Sequence, residues 1–141
     1  MIKCFVFVLS YDLWFYVSHR LLHTSYGYAF IHKYHHAVNA KTIRYSDTYV
    51  AHFAEGPLQS LGVFFPLFFT EADLRLFLFL LLFLNLRGML RHDARFAWLV
   101  GNHHILHHEF PNCNFGDLWM DALLGTRCPD WSRYKIGLIY N

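Results

Sequence analysis

The sequence predicts an all-α fold: an integral membrane helical bundle whose histidines cluster at one, cytosolic, face. Three observations predict it. Apolar residues make up 55% of the chain and charged residues only 16%, against roughly 45–50% and about 25% in soluble domains. The apolar residues come in runs separated by short polar turns that carry helix caps. The histidines recur at helical spacings. With 141 residues and no linker, repeat or low-complexity stretch, residues 1–141 form a single domain.

The first helix begins in the apolar run 4–17 and continues through His23. About 20 helical residues span roughly 30 Å, so its first part crosses a bilayer and its last turns emerge with His19 and His23. Taken outside a membrane it is a buried core helix, since the apolar run is shorter than the roughly 18 residues of a usual span. Tyr26-Gly27-Tyr28 breaks it, and a short helix over about 29–37 follows. Residues 39–49 are polar, with Lys41, Arg44 and Asp47, and form a surface connection.

Gly56-Pro57 suits a helix start, with Pro in the first turn. Residues 61–69 are nearly all apolar, although Pro66 kinks or ends that helix. Thr70-Glu71-Ala72-Asp73 is a polar turn in which Asp73 caps the next helix, 74–90. Residues 57–90 are thus expected as a helical hairpin that enters and leaves the membrane, or lies re-entrant in it. Phe64, Phe65, Phe68 and Phe69 face lipid there. Asn102 is placed to cap a helix that ends before Pro111. Residues 117–124 form a short amphipathic helix, capped by Asp117 and closed by Gly125. The tail 136–140 carries no motif.

One crossing before His19 and two between His36 and His92 put all the histidine groups on one side. Arg20, Lys33, Lys41, Arg44, Arg87, Arg91 and Arg95 fall on that side, whereas the far turn carries Glu71 and Asp73. Positive charge marks the cytosolic side. A net charge of +2 is too small to argue for nucleic acid. Cys4, Cys113 and Cys128 are odd in number and lack a C-x-x-C pair, which suggests neither a disulfide framework nor a zinc knuckle. Asp12 interrupts the first apolar run, so no cleavable signal peptide is evident.

Eleven histidines occur, and most fall in three boxes: His19 with His23; His32, His35 and His36; and His103, His104, His107 and His108. Helical residues three and four apart share a face, so each box offers two or three imidazoles to one point. Neutral imidazole suits iron, copper, nickel and zinc. A single pair of this kind is commonly a solvated helix face, but three boxes in one short chain point to metal. Their ligands outnumber the four positions of one zinc, which favours two metals. A zinc hydrolase would want the general base of H-E-x-x-H, which is missing. A metal transporter would hold its ligands within the spans, whereas these boxes flank them.

The pattern resembles the fatty acid hydroxylase and sterol desaturase superfamily of membrane non-haem di-iron oxygenases. His19-x3-His23, His32-x2-His35-His36 and His104-x2-His107-His108 match the family's H-x3-H, H-x2-H-H and H-x2-H-H. His19-Arg20, His23-Thr24 and Ile31-His32-Lys33-Tyr34-His35-His36 match the surroundings. So do Asn114-Phe115-Gly116, Asp121 and Leu124-Gly125-Thr126, and His92 stands where the family has a further histidine.

The resemblance implies two iron ions held by His19, His23, His32, His35, His36, His92, His104, His107 and His108. It implies O2-dependent hydroxylation or desaturation of a membrane lipid, a sterol or a fatty acyl chain, with a lean to sterol-type members. In a eukaryote that places the protein in the endoplasmic reticulum. Electrons would come from a separate protein such as cytochrome b5, since no His-Pro-Gly-Gly and no nucleotide-binding glycine loop are present. His52, with Glu55 and Pro57, stands in altered spacing where the family often has His-Pro and an acidic residue. It is either an extra ligand or a partner of ligands, and His103 is expected beside the ligands. Asp12, Asp93, Glu109 and Asp117 either orient imidazoles or serve as caps and surface charges. Family members usually carry a transmembrane hairpin before the first box. The alternative is therefore an inactive or truncated metal-binding member.

Overall fold

The computed structural model describes residues 2–71 and 73–139; Ala72 of the expected polar turn and Tyr140 of the tail lie outside them. Every regular element among the described residues is helical: α1 (Ile2–Leu22), α2 (Ser25–Phe30), α3 (Glu55–Ser60), α4 (Leu74–Arg91), α5 (Ala97–Val100), α6 (His103–Glu109) and α7 (Leu118–Leu123). Short 3-10 turns fill the connections.

α1 is the spine, and α3, the turn that follows α3, and α4 all pack on it. Phe7, Val63, Leu80 and Leu84 form the apolar core between them. Gly62 sets the approach: a Cβ there would lie 2.6 Å from the Trp14 Cβ and 2.9 Å from the Ser10 carbonyl, so any side chain would push the turn off α1. The contact is pinned by Ser10 Oγ donating to the Gly62 carbonyl at 2.7 Å and Trp14 Nε1 donating to the Leu58 carbonyl at 2.7 Å.

The hairpin expected over 57–90 has one helical arm, not two. Asp73 caps α4 as expected, accepting from the Arg75 amide at 2.9 Å. The other arm is six-residue α3 followed by 3-10 turns at Leu61–Val63 and Phe65–Phe68. Pro66 cannot donate a backbone hydrogen bond and clashes with the preceding helical turn. Gly62 adds the entropic cost of ordering a glycine in a helix. The second box differs too: α2 ends at Phe30, and His32–Tyr34 form a 3-10 turn rather than part of a helix over 29–37.

No helix among the described residues is both long and apolar enough to cross a membrane. α1 carries Lys3, Asp12, His19 and Arg20, and α4 carries Arg75, Arg87 and Arg91. Two of these basic residues are paired in the interior. Arg87 pairs with Asp12 and Arg91 with Asp117, all four largely buried, and these pairs tie α1, α4 and the loop before α7 together. Even so, Phe5, Leu13, Val17 and Leu21 on α1 and Leu74, Leu78, Phe79 and Leu82 on α4 are exposed. Exposed apolar surface on this scale marks an interaction face.

The cysteines also correct the sequence reading. Cys113 and Cys128 form a disulfide, with Cα atoms 5.1 Å apart, and Cys4 is free. The bond closes a loop that α7 folds back on itself, a proximity that spacing along the chain does not reveal. Asp121 staples the same loop. Fully buried, it accepts from the Phe115 amide at 2.9 Å, the Gly116 amide at 2.8 Å and Thr126 Oγ1 at 2.6 Å. Asn114, at φ 60°, adopts the left-handed conformation that Asn tolerates. Its side chain accepts from the Cys128 amide and donates to the His103 carbonyl.

Candidate metal centre

The ends of three helices meet around the histidines. α1 delivers His19 and, one turn on, His23; α4 ends into His92; α6 carries the third box. The second box hangs on the turn after α2, facing them. Ligand-capable atoms converge in two groups, each within a 4.8 Å span: His19, His23, His32, His36 and His107; and His35, His92, His104 and His108. All nine expected histidines are present. The boxes do not map one to a point, however. The second gives His32 and His36 to the five-histidine group and His35 to the other. The third gives His107 to the first group and His104 and His108 to the second.

Hydrogen bonding fixes the tautomers. His19 Nδ1 lies 2.6 Å from the Phe115 carbonyl and His107 Nδ1 lies 2.7 Å from that of Cys113. His35 Nδ1 lies 3.1 Å from the Val50 carbonyl and His92 Nδ1 lies 2.8 Å from that of Gly88. His32 Nδ1 lies 2.8 Å from Glu55 Oε1. A backbone carbonyl oxygen only accepts, so Nδ1 of His19, His107, His35 and His92 carries the proton, as does His32 Nδ1 when Glu55 is ionised, and each such neutral ring presents a bare lone pair at Nε2. Yet His19 and His32 point their Nε2 atoms at each other across 3.0 Å, and so do His35 and His92. Facing lone pairs at that distance repel unless a cation lies between them. One such pair occurs in each group.

The remaining contacts fall within the same two groups. Nε2 of His36 lies 3.1 Å from those of His32 and His107, His23 lies 3.0 Å from His107, and His104 lies 3.0 Å from His92. Two nitrogens bound to one ion at about 2.1 Å each can lie about 3 Å apart, which is the separation of these pairs. His108 supplies a further test: both its ring nitrogens are buried and without a hydrogen-bond partner, a costly state that ligation relieves.

Burial keeps these rings neutral. It lowers His32 to about 4 and, with neighbouring imidazoles adding to it, His36 to about 2 and His92 to about 3. His104, His107 and His108 shift the same way for the same reasons. Metal therefore meets little competition from protons.

A cavity of about 240 Å³ opens beside the groups. Its wall includes His35, His92 and His104 of the four-histidine group but only His19 of the other, together with Phe15, Ala51, Phe53 and Pro57. His52 also lines this cavity, outside both groups, and its Nδ1 accepts from the Ala54 amide at 3.3 Å. His103 is buried behind the ligands, where Nε2 donates to Asp121 at 2.9 Å.

The four acidic residues singled out in the sequence engage cations or backbone. Asp12 and Asp117 pair with Arg87 and Arg91, Asp93 with Arg95, and Glu109 with Arg133. The carboxylate that does touch a histidine of the groups is Glu55. Its clue lay in the altered stretch His52, Glu55, Pro57. Burial raises Glu55 to about 7.

Two adjacent pockets of converging imidazoles in an all-helical frame define a class of histidine-rich protein that could hold two metal ions. The chain belongs to the fatty acid hydroxylase family, whose model matches residues 4–126. It is 34% identical over 120 residues to the Delta(7)-sterol 5(6)-desaturase erg31 of Schizosaccharomyces pombe, covering 79% of this chain and 38% of that protein. It is 27% identical over 135 residues to the Delta(7)-sterol 5(6)-desaturase ERG3B of Gibberella zeae, covering 89% of this chain and 41% of that one. The chain thus spans about two fifths of the length of these curated relatives. No solved structure matches it.

Proposed function

We propose that this chain is the metal-bearing part of an O2-dependent di-iron oxidoreductase that hydroxylates or desaturates an unactivated C–H position of a membrane lipid. The observation that carries this reading is the pair of facing lone pairs, one in each pocket, set against a cavity. His19, His23, His32, His36 and His107 would hold one iron, and His35, His92, His104 and His108 the other. When bound, the irons supply from O2 the oxidising power that side chains lack.

The chain's own residues bind, orient and enclose. Carbonyls of Phe115, Cys113, Val50 and Gly88 fix ring tautomers through Nδ1. Phe15, Ala51 and Pro57 give part of the cavity wall an apolar face against which a lipid chain would lie, beside the polar Gln59, Arg87 and Arg91. The family and the relatives' printed activity support a sterol or fatty acyl substrate. The exposed apolar faces of α1 and α4 support seating at a bilayer, from which that substrate would come. Electrons would arrive from a separate carrier such as cytochrome b5.

Purified protein should hold about two irons per chain and form oxidised lipid only with O2 present. Zinc alone, with turnover independent of O2, would overturn the reading. Iron without any lipid product would reduce it to metal binding.

A further inference from the structure

We infer that Glu55 is a positioning residue for the five-histidine pocket, holding His32 in its ligating tautomer and lending that ring negative charge. The inference rests on reading the five histidines as a metal pocket, but on nothing about lipid. His32 is fully buried and Glu55 is 2% exposed. Their hydrogen bond spans 2.8 Å, from the Nδ1 that faces away from the pocket. The rings of His19, His107, His35 and His92 are held at the same position by neutral backbone carbonyls. Among the described residues, Glu55 is the acidic side chain bonded to a histidine of either group.

Its placement is built. Glu55 opens α3, which Trp14 ties to α1 through the Leu58 carbonyl. Gln59, one turn later, donates to the same Oε1 at 3.5 Å. The other oxygen, Oε2, is buried with no hydrogen-bond partner. A half-satisfied buried carboxylate costs stability, and an apolar residue would fill α3 more cheaply. The cost is balanced where a cation lies across the ring: Nδ1–H bonded to a carboxylate makes imidazole a stronger donor at Nε2 and fixes its orientation. Asp121 and His103 make a similar pair, but His103 lies in neither pocket. Glu55 therefore gives the five-histidine pocket a carboxylate hydrogen bond that the other pocket lacks, although its charge also acts through space on His35 of that other pocket.

The test is Co2+ titration of detergent-solubilised protein, followed by visible absorption and chelator competition, with no lipid or O2. Wild type should take up two Co2+. Glu55→Gln keeps an acceptor oxygen but removes the charge. It should weaken one Co2+ by about 10–100-fold and shift that ion's absorption band, with a smaller effect on the other ion and the metal-free melting temperature unchanged. Glu55→Asp, which keeps the charge, should recover part of the affinity.

Two Co2+ with unchanged affinity and spectrum in Glu55→Gln would overturn the inference. So would equal weakening of both ions with a lowered melting temperature, which marks a structural role. If wild type binds no Co2+, the pocket reading fails and takes this inference with it. If wild type binds two yet never oxidises lipid, only the lipid reading fails.

Discussion

The five-histidine and four-histidine pockets use the same ligand and share neighbouring elements, yet they are held differently. In the five-histidine pocket three rings are anchored from behind, by Phe115, Cys113 and Glu55, and two of those anchors sit on the disulfide-closed loop. In the four-histidine pocket two rings are anchored, by Val50 and Gly88, while His108 has no hydrogen-bond partner at either nitrogen. The cavity lies mainly against the second pocket. One pocket is braced more fully but leaves His23 and His36 half-buried; the other is less braced, buried throughout, and borders the cavity. On the proposed reading, a substrate in this cavity would lie nearer the four-histidine pocket.

Replacing ligands tests this most severely. His107→Ala should remove the metal of the braced pocket and His108→Ala that of the other, each leaving about one iron per chain and no lipid product. Metal analysis beside product assays checks it. If either variant loses both irons at once, the pockets are one cooperative unit and the comparison breaks.

How far the sequence revealed this partition is instructive. The ligand types were legible because i, i+3 and i+4 spacing is visible in a string. The sharing between pockets was not, because three residues on roughly one face were taken to reach one point. In a helix, residues i and i+4 lie about 40° apart, whereas i+3 and i+4 lie about 100° apart. His104 and His108 accordingly share a pocket while His107 turns to the other. His32 and His36 share one while His35 turns away, although their turn is 3-10 in part. Glu55 escaped notice as a histidine partner because its contact bridges 23 positions. The Cys113–Cys128 bond escaped because it depends on how α7 returns the chain. The broken arm over 57–69 was half legible: Gly62 and Pro66 both stand in the sequence, but apolar composition was given more weight than these breakers.

Acid should act on both pockets alike, which sharpens the contrast by removing it. His32, His36 and His92 have folded-state values near 4, 2 and 3, below the ordinary value of about 6.5. Between those limits the unfolded chain binds more protons than the folded one, so stability rises with pH. Glu55 and Asp12, raised by burial to about 7 and about 6, act the opposite way, but the lowered histidines outnumber them, so metal-free protein should lose stability as pH falls from about 6.5 towards 4. Thermal melts across that range check it. A flat profile would mean that the rings are open to solvent.

Filling the cavity should separate the pockets again, more mildly. Ala51 lines it beside His35 and His92. Ala51→Phe should lower product formation by at least about tenfold, which needs only about 1.4 kcal/mol of lost transition-state binding, with two irons retained. Unchanged turnover would place the substrate elsewhere.

The disulfide offers the smallest effect on metal binding and the most direct comparison of bracing. Its loop supplies the carbonyls that hold His19 and His107, both in the five-histidine pocket. Closing a loop with a sequence separation of 15 is worth about 3 kcal/mol in the unfolded-chain account. Asp121 and Asn114 hold the same loop independently through buried hydrogen bonds, so Cys128→Ser should soften it without releasing it. The expected outcome is a lower melting temperature and a few-fold weaker metal affinity confined to the five-histidine pocket. Reducing agent on wild type should reproduce both. Equal weakening of the two pockets would show that bracing is shared through α6, whose His104, His107 and His108 serve both.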